Sequence, residues 1–152
     1  MMFRTHLAAG AFFALFFLSH VSNKLFFIPI VLIASLLPDI DMSHSFLGQS
    51  KLLRPLQWIV KHRGIFHSLT FCLLISIIFA LFYPVLALPF FIGYASHLVT
   101  DSFTIEGIKP FWPSKREIVG SVRTGGRIES AIFLTLVLVD AVLLLGWILK
   151  SF

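Results

Sequence analysis

Residues 64–101 read GIFHSLTFCLLISIIFALFYPVLALPFFIGYASHLVTD. No formal charge lies between His67 and His97, and the run is too long for one ordinary helix. Tyr83-Pro84 breaks it near the middle and Pro89 follows, which predicts two helices folded back as a hairpin. His67 then opens the outgoing helix, while His97 and Asp101 close the returning one. Three metal-capable side chains therefore meet at one end of an otherwise apolar hairpin.

The rest of the chain has the same character. Of 152 residues, 58% are hydrophobic and 12% charged, and eighteen are phenylalanine, against about 45–50% apolar and about 25% charged in soluble domains. The mean hydropathy is +0.96. A small soluble core has no room for this much apolar surface, which excludes a soluble enzyme. The fold class expected is an all-α integral membrane protein forming a single domain, 1–152. It has about five transmembrane helices, at 5–22, 24–38, 64–83, 85–101 and 129–150. The opening MMFRTHLAAGAFFALFF resembles a signal peptide but lacks a small-x-small cleavage site, so it is read as a retained first span. The single cysteine, Cys72, lies within an apolar run and reads as core filler, with no disulfide framework.

Alternating helix direction puts the N-terminus, 42–63 and 102–128 on one face. That face holds ten of the twelve Lys and Arg residues, leaving Lys24 and Lys150 opposite. By the positive-inside rule it is cytoplasmic and the C-terminus lies outside, in a multi-pass arrangement. The net charge of +5 is thus a topology signal. No contiguous basic face exists to bind nucleic acid. In LGQSKLLRPLQWIVKHRG, 47–64, Leu52, Leu56 and Ile59 recur at helical spacing among bases, predicting an interfacial helix. Phe111 and Trp112 before Lys115 and Arg116 read as an anchor of the same kind.

The cytoplasmic end also collects His6, Asp39, Asp41, His62, His67, His97 and Asp101. Helix two offers about 13 apolar residues, roughly 20 Å against a hydrocarbon core of about 30 Å, so Asp39 should sit recessed. Ionisable groups at that depth need a partner or a cation. His97 and Asp101, four apart, share one helical stripe. His62 and His67 converge only if Gly64 lets the chain turn before the helix begins. Asp39 and Asp41 alternate just after Pro38, where both can reach a cation. Arg63 suits a phosphate or carboxylate, though it also serves topology. His20, about 21 Å along the axis from His6, cannot join. Asp140, about 16 Å into the last span, stands apart from the cluster, and Glu106, Glu117 and Glu129 read as solvated or paired with arginines.

His6, LLPDID at 36–41, HRGIFHS at 62–68 and SHLVTDSFTIEGIKPFWP at 96–113 together resemble the YdjM-like, LexA-regulated family assigned as membrane-bound metal-dependent hydrolases. The resemblance covers most of the chain. It implies a multi-helix inner-membrane protein binding metal through those His and Asp residues, with Arg63 and Ser68 accompanying them. Two positions depart from the pattern: Phe66, where a small or hydroxylated residue is expected, and Glu106, where an uncharged one is usual.

The expected activity is metal-assisted hydrolysis. His6, Asp39, His67, His97 and Asp101 would hold one or two divalent ions, zinc or manganese, Asp41 or His62 would move protons, and Arg63 would neutralise an anionic substrate. A site at headgroup depth admits a lipid or lipid-linked phosphate laterally from the bilayer. The rival readings are a metal-ion or proton-coupled transporter and a scaffold tied by metal. A transporter should carry polar groups at successive depths, and the far half of this chain offers little beyond His20 and Asp140. Oligomeric state has no signature in the sequence.

Overall fold

A computed structural model describes residues 1–41 and 64–151, whose regular elements are all helical, with no strand among them and turns with two isolated bridges over 103–126. Five α-helices run Phe3–Phe17 (α1), Lys24–Ala34 (α2), Leu69–Phe82 (α3), Pro84–Ser102 (α4) and Arg127–Ser151 (α5). Short 3₁₀ turns at Leu18–His20, Leu37–Asp41 and Ile65–His67 extend or precede them. The interfacial helix expected within 47–64 falls outside the described residues apart from Gly64.

Three boundaries differ from the sequence expectation for local reasons. Helix one gives way to a 3₁₀ turn at Leu18. Helix two stops at Ala34, because Pro38 disfavours α geometry at Leu37 and the chain tightens into a 3₁₀ turn through Asp39. Helix three starts at Leu69, not at 64. Ser68 is extended and caps it, accepting from the Phe71 amide at 3.1 Å while its hydroxyl donates to the Ile65 carbonyl at 2.6 Å. Pro110 reinforces this start, its carbonyl accepting from the Leu69 and Thr70 amides at 2.8 and 3.2 Å. The hairpin break occurs at Tyr83, with Pro84 as the first residue of α4, where its missing amide costs nothing.

α4 is the central element and packs on α1, α2 and α3, whereas α5 packs mainly on α1. Small residues set the closeness. A Cβ on Gly93 would lie 2.2 Å from the Val31 carbonyl oxygen, and one on Gly10 2.6 Å from Ser35 Oγ. Such contacts let helices associate where lipid removes the usual hydrophobic drive. Ala34, Cys72, Phe90, Tyr94, Leu98 and Ile108 form one core cluster. Outward, the faces are apolar: Leu81 is 73% exposed and Val142 69%.

Among the described residues, one helix, Arg127–Lys150, is long and apolar enough on its own to cross a membrane. α1, α2 and α3, with 15, 11 and 14 residues, are shorter than the 20 or so that a full crossing takes.

Gly93→Leu should separate α2 from α4, lowering stability by about 1–3 kcal/mol as overpacking does. Thermal unfolding in detergent is the measurement, with Gly146→Ala, where a Cβ meets nothing within 4 Å, expected to unfold like wild type.

Candidate metal centre

Four elements converge at the end of the bundle that carries the helix-one N-terminus. α1 contributes His6, the 3₁₀ turn after α2 contributes Asp39, the turn before α3 contributes His67, and the last turns of α4 contribute His97 and Asp101. All but Asp39, at 14%, are almost completely buried. His6 Nε2 lies 3.4 Å from Asp101 Oδ1. His67 Nε2 lies 3.7 Å from Asp39 Oδ1 and 3.6 Å from Asp101 Oδ2. His97 Nε2 is 3.6 Å from each of the same two oxygens. The His6 and His97 rings stack at 3.7 Å, and His67 meets His97 edge-on at 5.3 Å.

The other ring nitrogens decide what the Nε2 atoms are. His97 Nδ1 lies 2.8 Å from the Ser35 carbonyl oxygen, which can only accept, so Nδ1 carries the proton. His6 Nδ1 lies 2.9 Å from Thr100 Oγ1, whose own proton goes to the His97 carbonyl at 2.8 Å, so His6 Nδ1 is also a donor. In neutral imidazoles both Nε2 atoms are then lone pairs. Neither makes a hydrogen bond among the described residues. Lone pairs facing carboxylates in a dry interior repel unless a cation lies between them.

Spacing supports the same conclusion, because a cation about 2.1 Å from each of four tetrahedral donors holds those donors roughly 3.4 Å apart. Ligand atoms from His6, Asp39 and His97 lie within 4.8 Å of one another, as do those from His67, His97 and Asp101. These buried groups could hold a metal ion. Thr100 and Ser35, which orient two of the rings, escaped the sequence reading. A backbone carbonyl carries no sequence signal, but Thr100, three residues after His97, was open to inspection.

The structure brings together His6, Asp39, His67, His97 and Asp101. Asp41 ends the 3₁₀ turn that carries Asp39, and His62 and Arg63 lie outside the described residues. The Met1 amine also donates to Asp101. Phe66, the unexpected neighbour of His67, packs edge-on against Phe71 at 5.0 Å, and its carbonyl accepts from the Tyr94 hydroxyl at 2.5 Å.

Glu129 corrects the sequence reading, which took it as solvated or arginine-paired. It is fully buried in the first turn of α5. Its Oε1 accepts from the Met2 amide at 2.5 Å and Thr5 Oγ1 at 2.9 Å, and Oε2 accepts from the Gly125 amide at 2.6 Å. The last bond satisfies an amide in the turn just before α5. The other two bind α5 to the turn of α1 that carries His6.

The YdjM inner membrane protein family model matches residues 1–151. The chain belongs to that family. Inner membrane protein YdjM of Escherichia coli (strain K12) is 37% identical over 102 residues, covering 58% of this chain and 50% of the relative, and the Shigella flexneri protein of the same name matches equally. Uncharacterized protein YvsG of Bacillus subtilis (strain 168) is 34% identical over 86 residues, 54% of each chain. The chain thus spans about half the length of these curated relatives. No solved structure matches.

Glu129→Ala should cost about 2–3 kcal/mol, since it removes three hydrogen bonds to a buried carboxylate and strands the buried Thr5 hydroxyl. Thermal unfolding beside Glu117→Ala checks this. Glu117 is 52% exposed, and its loss should leave the unfolding temperature unchanged.

Proposed function

We propose that the chain is a membrane-bound, metal-dependent hydrolase that cleaves a phosphoester of a lipid or lipid-linked substrate at the cytoplasmic face of the inner membrane. One observation carries this reading: the Nε2 lone pairs of His6 and His97, with their opposite nitrogens already committed, converge on Asp39 and Asp101. With Nδ1 committed as a donor, each neutral ring offers its Nε2 lone pair to a cation shared with those carboxylates.

His6, Asp39, His67, His97 and Asp101 would hold one or two divalent cations, zinc or manganese. Such a cation, when bound, renders water nucleophilic near neutral pH. The protein's own groups do the rest. Thr100 and Ser35 hold the imidazoles in their ligating tautomers. Asp39, the most exposed of the five, marks the side from which substrate approaches. Asp41, two residues on, or His62 takes the proton of the attacking water and returns it to the leaving group. Arg63, four residues before His67, neutralises the anionic ester.

Family membership supports a bilayer environment, and the apolar outer faces of α3 and α5 agree with it. We read all five helices as membrane-embedded. The short ones end below the headgroups, which recesses the cluster at the cytoplasmic side, where most of the Lys and Arg residues gather.

Metal analysis of detergent-purified protein, paired with hydrolysis of a phosphoester panel, tests the reading. Metal should co-purify with wild type and be lost from His97→Ala/Asp101→Ala. Asp41→Asn or Arg63→Ala should keep metal and thermal stability while losing about 10²–10⁴-fold in kcat. Metal binding without hydrolysis of any phosphoester would favour the scaffold, and metal carried across sealed vesicles the transporter. A milder variant, Thr100→Val, should weaken metal affinity about 10–100-fold without unfolding the protein, because it frees the His6 ring.

A further inference from the structure

Beside the cluster, a cavity of about 250 Å³ opens between the 3₁₀ turn after α2, α3 and α4, lined among others by Leu37, Ile40, Phe66, Phe71, Ile75 and Tyr94. Three of these are tied to the cluster by sequence: Ile40 follows Asp39, Phe66 precedes His67, and Tyr94 lies nearly one helical turn before His97. A second cavity of about 240 Å³ shares Leu37 and Phe90 with the first and continues past Ile30 and Phe79 to Leu86. Together they make one groove. Along α4 it runs from Tyr94 to Leu86, eight residues or about 12 Å, away from the cluster and toward the opposite end of the helix.

The chemistry of the wall is uniform. The lining is aliphatic and aromatic, and the one hydroxyl, that of Tyr94, is already bonded to the Phe66 carbonyl. Leu37, Ile40, Phe66, Phe71 and Ile75 are only half-buried, so the groove opens to the surroundings among the described residues. It opens beside the α3 face that presents Leu74 and Ile78 outward. A long apolar slot parallel to the helices, with a cation-binding cluster at its mouth, matches one chemistry: a hydrocarbon chain carrying an anionic head.

We propose that this groove takes one acyl chain of a bilayer phospholipid, its phosphate placed at the Asp39 edge of the cluster. The position of the head rests on the hydrolase reading, and the binding of the chain does not. Each methylene in the groove adds to affinity, so specificity would come from chain length and the cluster would read only the phosphate.

Phosphatidic acid bearing a diazirine midway along one acyl chain, at trace level in phosphatidylcholine nanodiscs holding the full chain, supplies the probe. After irradiation, mass spectrometry should find label concentrated on Phe71, Ile75, Phe79 and Phe90 over the outward-facing Leu73 and Leu74. Ile75→Trp, which displaces two or so methylenes, should reduce groove labelling about ten-fold, and Leu73→Trp on the outer face of the same helix should not. Equal labelling of Ile75 and Leu73 in the wild-type protein would overturn the proposal even if Ile75→Trp failed to fold. So would groove labelling unchanged by Ile75→Trp, as expected if a protein segment or a second copy fills the slot. Groove labelling with no hydrolysis of long-chain or short-chain phosphoesters would uphold the groove and remove the hydrolase. Hydrolysis of phosphoesters with label spread equally over Ile75 and Leu73 would remove the groove and uphold the hydrolase.

Discussion

A nitrogen lone pair aimed at a carboxylate oxygen in a water-poor interior is repulsive, and the bundle makes this arrangement twice. His6 and His97 each give their Nδ1 proton to a fixed oxygen, on Thr100 and Ser35 respectively, so in the neutral rings the Nε2 atoms turn inward as acceptors. A cation shared with Asp39 and Asp101 would compensate it, and the Met1 amine already brings one positive charge to Asp101. Much else in the structure serves that geometry. Gly93 brings α4 against α2 so that His97 reaches the Ser35 carbonyl, Gly10 brings α1 against the same serine, and Glu129 holds the start of α1 where His6 belongs.

The apolar exterior and the polar end are two consequences of one constraint. A bilayer leaves no water for buried ionisable groups, and with all five helices read as membrane-embedded these groups would gather where the helices stop short. α2 illustrates this. It contains 11 residues, and the 3₁₀ turn around Pro38 then carries Asp39 to His67 and His97. The same shortness leaves a slot between α2, α3 and α4 that hydrocarbon can fill.

Composition and punctuation made the helical class legible, and the i, i+4 spacing of His97 and Asp101 put both on one face before any coordinates were needed. Alternating direction sufficed to gather His6, Asp39 and His67 with them. What stayed hidden depended on contacts between distant elements. Ser68 as a cap moved the start of α3 five residues beyond the expected position, since the competing Pro110 carbonyl lies forty residues away in sequence. Glu129 was misread because its partners, Met2 and Thr5, sit at the other end of the chain. The burial of His6 comes from Thr100, Asp101 and the His97 ring, all on α4.

X-ray absorption at the metal edge of zinc-reconstituted protein tests the central claim most directly. The account predicts a shell of nitrogen and oxygen at about 2.0–2.2 Å with outer-shell imidazole scattering from at least two histidines, the imidazole contribution falling in His6→Ala and again in His6→Ala/His97→Ala. An all-oxygen shell, or imidazole scattering unaffected by those substitutions, would show that the inward lone pairs do not hold a cation.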